Sequence, residues 1–192
     1  MKGIGGMGDT NCARGSFAIR GLTLVELLMA MAVLAILFGL GVPAFGDLRA
    51  RSERVAINNG LMTSLSLART EALRSRRPTV VCPAKADASG CRDDGAWHHG
   101  WIGFVDENED GMLTAGRDRV IEVREPIQGA SLLSGSARPK VRYAPNGLNT
   151  GSNLSIRLCQ AGKVVSAVVV NNVGRPRVEL KERALARWSC PG

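Results

Sequence analysis

The sequence predicts an α+β fold in which one long N-terminal α-helix packs against an antiparallel β-sheet domain. No charged side chain occurs from Leu27 to Gly46. Apolar residues then recur at spacings of three and four as far as Ala72, which is the period of a helix with one buried face. After Pro78 the chain changes to short apolar runs separated by glycine, proline and acidic loops, a pattern typical of β-strands.

The first apolar segment is long enough to cross a membrane. At about 1.5 Å per residue, the positions from Leu27 to Gly46 span the ~30 Å hydrocarbon core of a bilayer. We therefore predict a transmembrane and assembly helix over residues 22–46. A secretory signal peptide is an alternative, because Val42-Pro43-Ala44 resembles a small-residue cleavage site. A generic membrane anchor is another. Signal peptides, however, have shorter apolar regions of about 7 to 15 residues.

Glu26 is unusual because it lies inside this apolar segment. An ionised carboxylate in hydrocarbon costs about 2.5 kcal/mol or more unless it has a partner. We therefore predict a functional role for Glu26.

The helix is expected to continue over residues 47–78 as an amphipathic segment that ends at Pro78. Its predicted core face contains Ile57, Leu61, Leu65, Ala68 and Ala72. Its arginines, Arg69, Arg74, Arg76 and Arg77, are predicted to lie in solvent and to carry no chemistry.

Residues 79–192 are predicted to form one β-rich domain. Pro145-Asn146-Gly147 contains the Asn-Gly pair that favours a tight turn. The predicted strands are Val80–Cys82, Trp101–Val105, Val120–Val123, Val141–Ala144, Leu154–Cys159 and Val164–Asn171.

The charge of the chain is concentrated at its C-terminal end. The whole sequence has a formal net charge of +8. After Glu125 there are ten basic residues and only two acidic ones, so that this third alone is +8. Arginine outnumbers lysine twenty to five, and the planar guanidinium group suits phosphate well. The composition therefore favours an anionic partner.

Four of the five cysteines follow the apolar segment, and an even number favours disulfides in an oxidising compartment. Three pairings are possible. We favour Cys82 with Cys91 and Cys159 with Cys190, because each closes a local loop and the second would hold the C-terminus. Free buried thiols are the alternative.

Two further patterns suggest metals, but neither is complete. Asp106, Asn108 and Asp110 before Gly111 match the start of a calcium loop, yet Arg117 stands where a bidentate glutamate is needed. A solvated acidic turn is the better interpretation. His98-His99 lacks the ligand spacing of a zinc site, since adjacent histidines point to different sides of an extended segment. No nucleophile with a plausible base is evident, so we expect neither an enzyme nor a cofactor.

Residues 1–28 resemble the processing region of type IV pilins and pseudopilins, with a basic leader and the run Gly21-Leu22-Thr23-Leu24-Val25-Glu26-Leu27. The resemblance implies that residues 1–21 are a leader, removed by a prepilin peptidase between Gly21 and Leu22. It also implies N-terminal methylation and pairing of Glu26 with the amine of a neighbouring subunit. Leu22 departs from the usual phenylalanine.

Two further stretches resemble the GspH/FimT family of minor pilins: Leu67-Ala68-Arg69-Thr70-Glu71-Ala72, and the run from Leu158 to Gly174-Arg175-Pro176-Arg177. The resemblance implies a pilin-like fold, an inner-membrane anchor, a periplasmic domain, and assembly with other pilin subunits. In FimT-type members a Gly-Arg-x-Arg motif binds DNA for natural transformation.

Residues two apart in an extended strand project to the same side, so Arg175 and Arg177 would form a two-pronged cationic face. The predicted DNA-binding residues are Gly174, Arg175, Arg177, Lys181, Arg183 and Arg187, and Trp188 could stack on a base. Two other functions stay open: a GspH-like pseudopilin of type II secretion with a structural role, and a lone anchored periplasmic binding module.

Overall fold

The computed structural model describes residue 21 and residues 23–151, 153–180 and 182–190, without the side chains of residues 40–44 and 183–184. The chain divides into two compact units, Met1–Gly46 and Asp47–Gly192. The predicted leader, except Gly21, and the first mature residue Leu22 lie outside the described residues.

Helix α1 covers Leu24–Ser75 and ends three residues before Pro78. Arg76 follows with a positive φ of 55°, which terminates the helix. Within the first unit, the large apolar side chains from Leu24 to Phe38 are exposed. Over the part of the chain that the structure describes, no helix combines the length and the hydrophobicity needed to cross a membrane.

The second unit contains two four-stranded antiparallel sheets, where the sequence predicts one. The first sheet has the order β3-β2-β1-β5 and the second the order β4-β6-β7-β8. The strands are β1 Thr79–Pro83, β2 Trp101–Val105, β3 Arg119–Arg124, β4 Ser131–Leu133, β5 Val141–Tyr143, β6 Leu154–Gln160, β7 Lys163–Val170 and β8 Pro176–Glu179. The predicted strands did not include β4, which is Ser-Leu-Leu, or β8, which begins with a proline and carries Arg177 and Glu179.

Both sheets contribute to one core around the second half of α1. All five residues of the predicted helix face, Ile57, Leu61, Leu65, Ala68 and Ala72, are buried. They pack with Val81, Val141 and Tyr143 of the first sheet and with Leu154, Ile156, Leu158, Val168 and Val170 of the second. Tryptophan N–H groups in this core are satisfied, since Trp101 Nε1 donates to Ser64 Oγ at 2.9 Å.

Glu71 connects α1 to the edge of the first sheet. Its carboxylate accepts hydrogen bonds from Arg74 at 2.7 and 2.9 Å and also pairs with Arg119 of β3. These two guanidinium groups lower the pKa of Glu71 to about 2, with the Arg74 hydrogen bond as the largest cause. Arg74 is exposed, as predicted, and in addition belongs to an ion-pair network with Glu71 and Arg119.

Because the pKa of Glu71 is depressed in the folded state, its stabilising contribution is complete above about pH 4.5 and is lost as the pH falls towards 2. We expect Glu71→Gln to lower the free energy of unfolding at pH 7 by roughly 1 to 2 kcal/mol, allowing for the exposed arginine partners. The difference from wild type should shrink below pH 4 in urea titrations. Glu125→Gln, at an exposed position, is the charge-matched control; an equal loss in both variants would contradict the assignment.

The structure contains both predicted disulfides, Cys82–Cys91 and Cys159–Cys190. After β8 the chain forms a single helical turn, α2 Glu182–Leu185, which packs on β7. Leu185 is buried, and Arg157 Nη1 of β6 donates to Ser189 O at 3.3 Å. The C-terminal segment therefore lies across the second sheet and is held to β6 by the Cys159 disulfide.

Candidate nucleic-acid interface

The predicted Gly-Arg-Pro-Arg motif lies at the turn between β7 and β8. Gly174 N donates to Asn171 O at 2.9 Å, and Arg175 N donates to the side-chain Oδ1 of Asn171 at 3.0 Å. Gly174 has a φ of +77° and is buried. Asn171 thus closes the turn, and Gly174 provides the left-handed backbone conformation that other residues rarely adopt.

Arg175 and Arg177 are exposed, whereas Pro176 and Val178 between and after them are half-buried. Strand β8 pairs Pro176 with Val170 and Arg177 with Val169, at the edge of the second sheet. Val178 packs on the core, which directs the neighbouring Arg177 outward. Among the described residues, neither arginine side chain has an ion-pair partner.

The base of this turn rests on the turn that follows β5. A Cβ at Gly174 would lie 2.3 Å from Gly147 O and 3.2 Å from the Tyr143 ring. Gly147 O also accepts a 2.9 Å hydrogen bond from Arg69 Nε of α1. Tyr143 is fully buried, and this burial raises its pKa while the Arg69 charge opposes the rise. Arg69 therefore contacts the candidate interface, which corrects the expectation that it projects into solvent.

The other predicted DNA-binding residues are less closely grouped. Arg187 is exposed, and its guanidinium group lies 4.5 Å from the Trp188 ring centre, over one face of the ring; stacking of a base on Trp188 stays a prediction. Its neighbours Ala186 and Trp188 line a cavity with Gly162 and Val164, at the start of β7. Arg177 pairs near the other end of that strand, roughly 15 to 20 Å away. Lys181 and the side chain of Arg183 lie outside the described residues.

Glu26 is exposed in the first turn of α1. Its backbone N–H donates to Thr23 Oγ1 at 3.3 Å, so that Thr23 caps the helix. Thr23 and Glu26 have the spacing of a capping box, of which the structure shows the threonine half. Gly21 is exposed, and a Cβ placed on it would meet no atom of the described residues within 4 Å.

The acidic loop after β2 is closed by cations of the chain. Asp106 is fully buried, so the expectation of a solvated turn is wrong for this residue. Its Oδ2 accepts hydrogen bonds from Gly111 N at 2.9 Å and Arg142 Nη2 at 3.1 Å, while Lys140 Nζ donates to Gly111 O. Burial raises the pKa of Asp106, and Arg142 opposes the rise. Arg142 therefore pairs with the buried carboxylate, and Lys140 contacts the backbone of the same loop.

The two histidines are not on an extended segment. Trp97–His99 forms a 3-10 turn, which brings the rings of His98 and His99 to 4.3 Å instead of placing them on opposite sides. His98 Nδ1 lies 3.3 Å from Leu132 O. In the described part of the chain, no group of three histidine, cysteine or acidic side chains could hold a metal ion.

Comparison with known proteins agrees with this architecture. The family model described as type II transport protein GspH matches residues 58–174. The chain belongs to the GspH family. The matched region includes the buried half of α1 and most of both sheets. It ends at Gly174, the first residue of the turn with the Gly174-Arg175-Pro176-Arg177 motif, which we call the arginine turn.

This GspH-family chain is also similar to two pilin-like proteins. It is 27% identical over 169 residues to the pilin-like protein PilA1 of Thermus thermophilus, covering 83% of this chain and 98% of that protein. The crystal structure of the type IV minor pilin FimU of Pseudomonas aeruginosa superposes with a TM-score of 0.52 at 19% identity, covering 71% of this chain and 94% of that one. The predicted membership of the minor pilin and pseudopilin family and the predicted pilin fold are confirmed.

Proposed function

We propose that this GspH-family protein is a minor pilin of a type IV pilus that binds double-stranded DNA without sequence preference, for uptake in natural transformation. Family membership implies assembly with other pilin subunits and a structural rather than an enzymatic role. The DNA would be bound at the turn formed by Gly174, Arg175, Pro176 and Arg177.

One observation carries this proposal. Arg175 immediately precedes the edge strand β8 and Arg177 lies within it; both are exposed and have no acidic partner among the described residues. Several other arginines of the domain, by contrast, are paired with carboxylates, as are Arg74, Arg119 and Arg142. Two unpaired guanidinium groups on one rigid hairpin suit adjacent backbone phosphates, which supply the sequence-independent part of DNA affinity.

The experiment is DNA binding by the full-length protein in mild detergent, measured by fluorescence anisotropy at several salt concentrations. We expect Arg175→Ala/Arg177→Ala to weaken binding and to reduce the slope of log affinity against log salt by about two units, because about 0.9 counterion is released per phosphate contact. Arg76→Ala/Arg117→Ala removes the same charge from exposed positions outside the second sheet and should leave the slope unchanged. Equal slopes for the two double variants would remove the motif from the interface.

A structural pseudopilin of a type II secretion system is the second candidate, and the description of the matching family favours it. In that function the arginine turn would contact other pseudopilins or acidic cargo instead of DNA. Absence of DNA binding by the wild-type protein at moderate salt would support this alternative.

The N-terminal region completes the proposal. A prepilin peptidase would cleave between Gly21 and Leu22, residues 22–46 would anchor the subunit in the inner membrane, and Glu26 would pair with the terminal amine of a neighbour in the filament. The uncharged run from Leu27 to Gly46 supports the anchor. Mass spectrometry of protein purified from membranes tests the cleavage, since a mature chain that begins at Phe45 would lack the helix and exclude the filament function.

A further inference from the structure

We propose that Arg69 of helix α1 is a third phosphate-binding residue of the interface, beside Arg175 and Arg177. This inference rests on the proposed function, because it assigns a further contact to the same bound DNA. The sequence predicts only a solvent-exposed helix arginine at this position. The structure instead places Arg69 against the turn that carries the motif.

Arg69 is positioned by contacts with two turns, the one at Gly147 after β5 and the one at Gly174 after β7. Its Nε donates to Gly147 O at 2.9 Å and lies 3.3 Å from the position of a Cβ at Gly174. Gly174 immediately precedes Arg175, so the two arginines come from separate elements but border the same backbone turn. A further hydrogen bond, from Asn149 N to Asn172 O at 3.1 Å, holds the two turns together.

The rest of the guanidinium group is available for a ligand. A guanidinium carries five N–H donors, and among the described residues only the Nε–H of Arg69 has a hydrogen-bond acceptor. The two terminal nitrogens are the pair that binds a phosphate in bidentate fashion. Because the Nε hydrogen bond orients the group before DNA arrives, less side-chain entropy is lost on binding.

The charge of Arg69 is also uncompensated, unlike that of two arginines further along the chain, one on the helix and one just after its end. Arg74, five residues further on, pairs with Glu71 at 2.7 Å, and Arg77 pairs with Glu107 at 3.5 Å. Arg69 is half-buried, and its only hydrogen bond in the described region goes to a neutral carbonyl. A half-buried cation without an anion gains most from an external phosphate, because its surroundings screen the attraction less than water does.

Four full-length variants in mild detergent test this assignment, with DNA affinity measured against salt. Arg69→Gln should reduce the log-salt slope by about 0.9 and the affinity at 0.1 M salt by about five- to tenfold. Arg69→Lys keeps the charge and should restore the slope, although it loses the Nε hydrogen bond. Arg74→Gln is the matched control on the same helix and should leave the slope unchanged.

The fourth variant, Arg175→Ala/Arg177→Ala, separates failure of this inference from failure of the proposed function. If the double variant loses affinity and slope while Arg69→Gln retains the wild-type slope, Arg69 is not a phosphate contact and the inference is overturned. Equal losses of slope in Arg69→Gln and Arg69→Lys would also overturn it, because they indicate a displaced turn. If the wild-type protein does not bind DNA, the proposed function and this inference fail together.

Discussion

Replacing Gly174 with alanine should destabilise the domain by about 2 to 4 kcal/mol, the range for a backbone clash added to a strained dihedral angle. The new Cβ would lie 2.3 Å from the carbonyl oxygen of Gly147 and 3.2 Å from the Tyr143 ring. Neither group can move easily, because Gly147 O accepts the Arg69 hydrogen bond and Tyr143 is fully buried. The turn must therefore open, which would displace Arg175 and weaken DNA binding as well.

Gly162→Ala is the matched control for this prediction. Gly162 has a φ of +72°, close to the +77° of Gly174, but a Cβ there meets no atom within 4 Å. It should therefore cost only the backbone strain, about 1 kcal/mol. Urea unfolding measures the free energy of unfolding of each variant. The difference between the two variants gives the contribution of the contact between the Gly174 turn and the Gly147 turn. Equal stabilities would show that the Gly174 turn adjusts without cost.

Removing the Cys159–Cys190 disulfide has the second large expected effect. The bridge closes a loop with a sequence separation of 31, and the chain-entropy model gives a loss of roughly 3 to 4 kcal/mol for Cys159→Ala/Cys190→Ala. The segment from α2 to Cys190 should also become accessible, because Leu185 is its only buried large side chain among the described residues. Chemical unfolding and limited proteolysis would measure the two effects.

Cys82→Ala/Cys91→Ala is the comparison variant. Its loop has a separation of 9, for which the same model gives about 2.5 kcal/mol. We expect it to leave the C-terminal segment resistant to protease. If Cys159→Ala/Cys190→Ala is equally resistant, packing of α2 on β7 is sufficient to hold that segment, and the disulfide is not what fastens it.

The arginines of this protein differ in whether they have an acidic partner. Twenty arginines in one chain predict a basic protein but not a binding surface, since charged residues usually lie in solvent. The ion pairs of Glu71 and Asp106 account for Arg74, Arg119 and Arg142. Arg175, Arg177 and Arg69 have no carboxylate partner in the described region, and all three lie around one turn. Arg76 and Arg117 also lack such a partner but lie outside the second sheet, so the grouping of unpaired arginines at one turn, and not the total charge, selects the candidate interface.

Patterns among residues close together in the sequence predicted the buried helix face, the disulfides and one strand of this protein. The spacing of Ile57, Leu61, Leu65, Ala68 and Ala72 predicted the buried face of α1, and the cysteine spacing predicted both disulfides. Strand β2 was predicted at its observed bounds, Trp101–Val105. These predictions succeeded because helix periodicity, strand alternation and short loops are local properties, visible within one window of sequence.

Only the tertiary structure decided the grouping around the arginine turn. Arg69 and Gly147 are 78 positions apart, and no local pattern relates either of them to Gly174. Their contact follows from the way α1 and the turns after β5 and β7 pack around Tyr143. The same packing buried Asp106 against Arg142 and placed Arg187 near the far end of β7. Such contacts join residues distant in sequence, so their charges and donors can be assigned only after the elements are assembled in space.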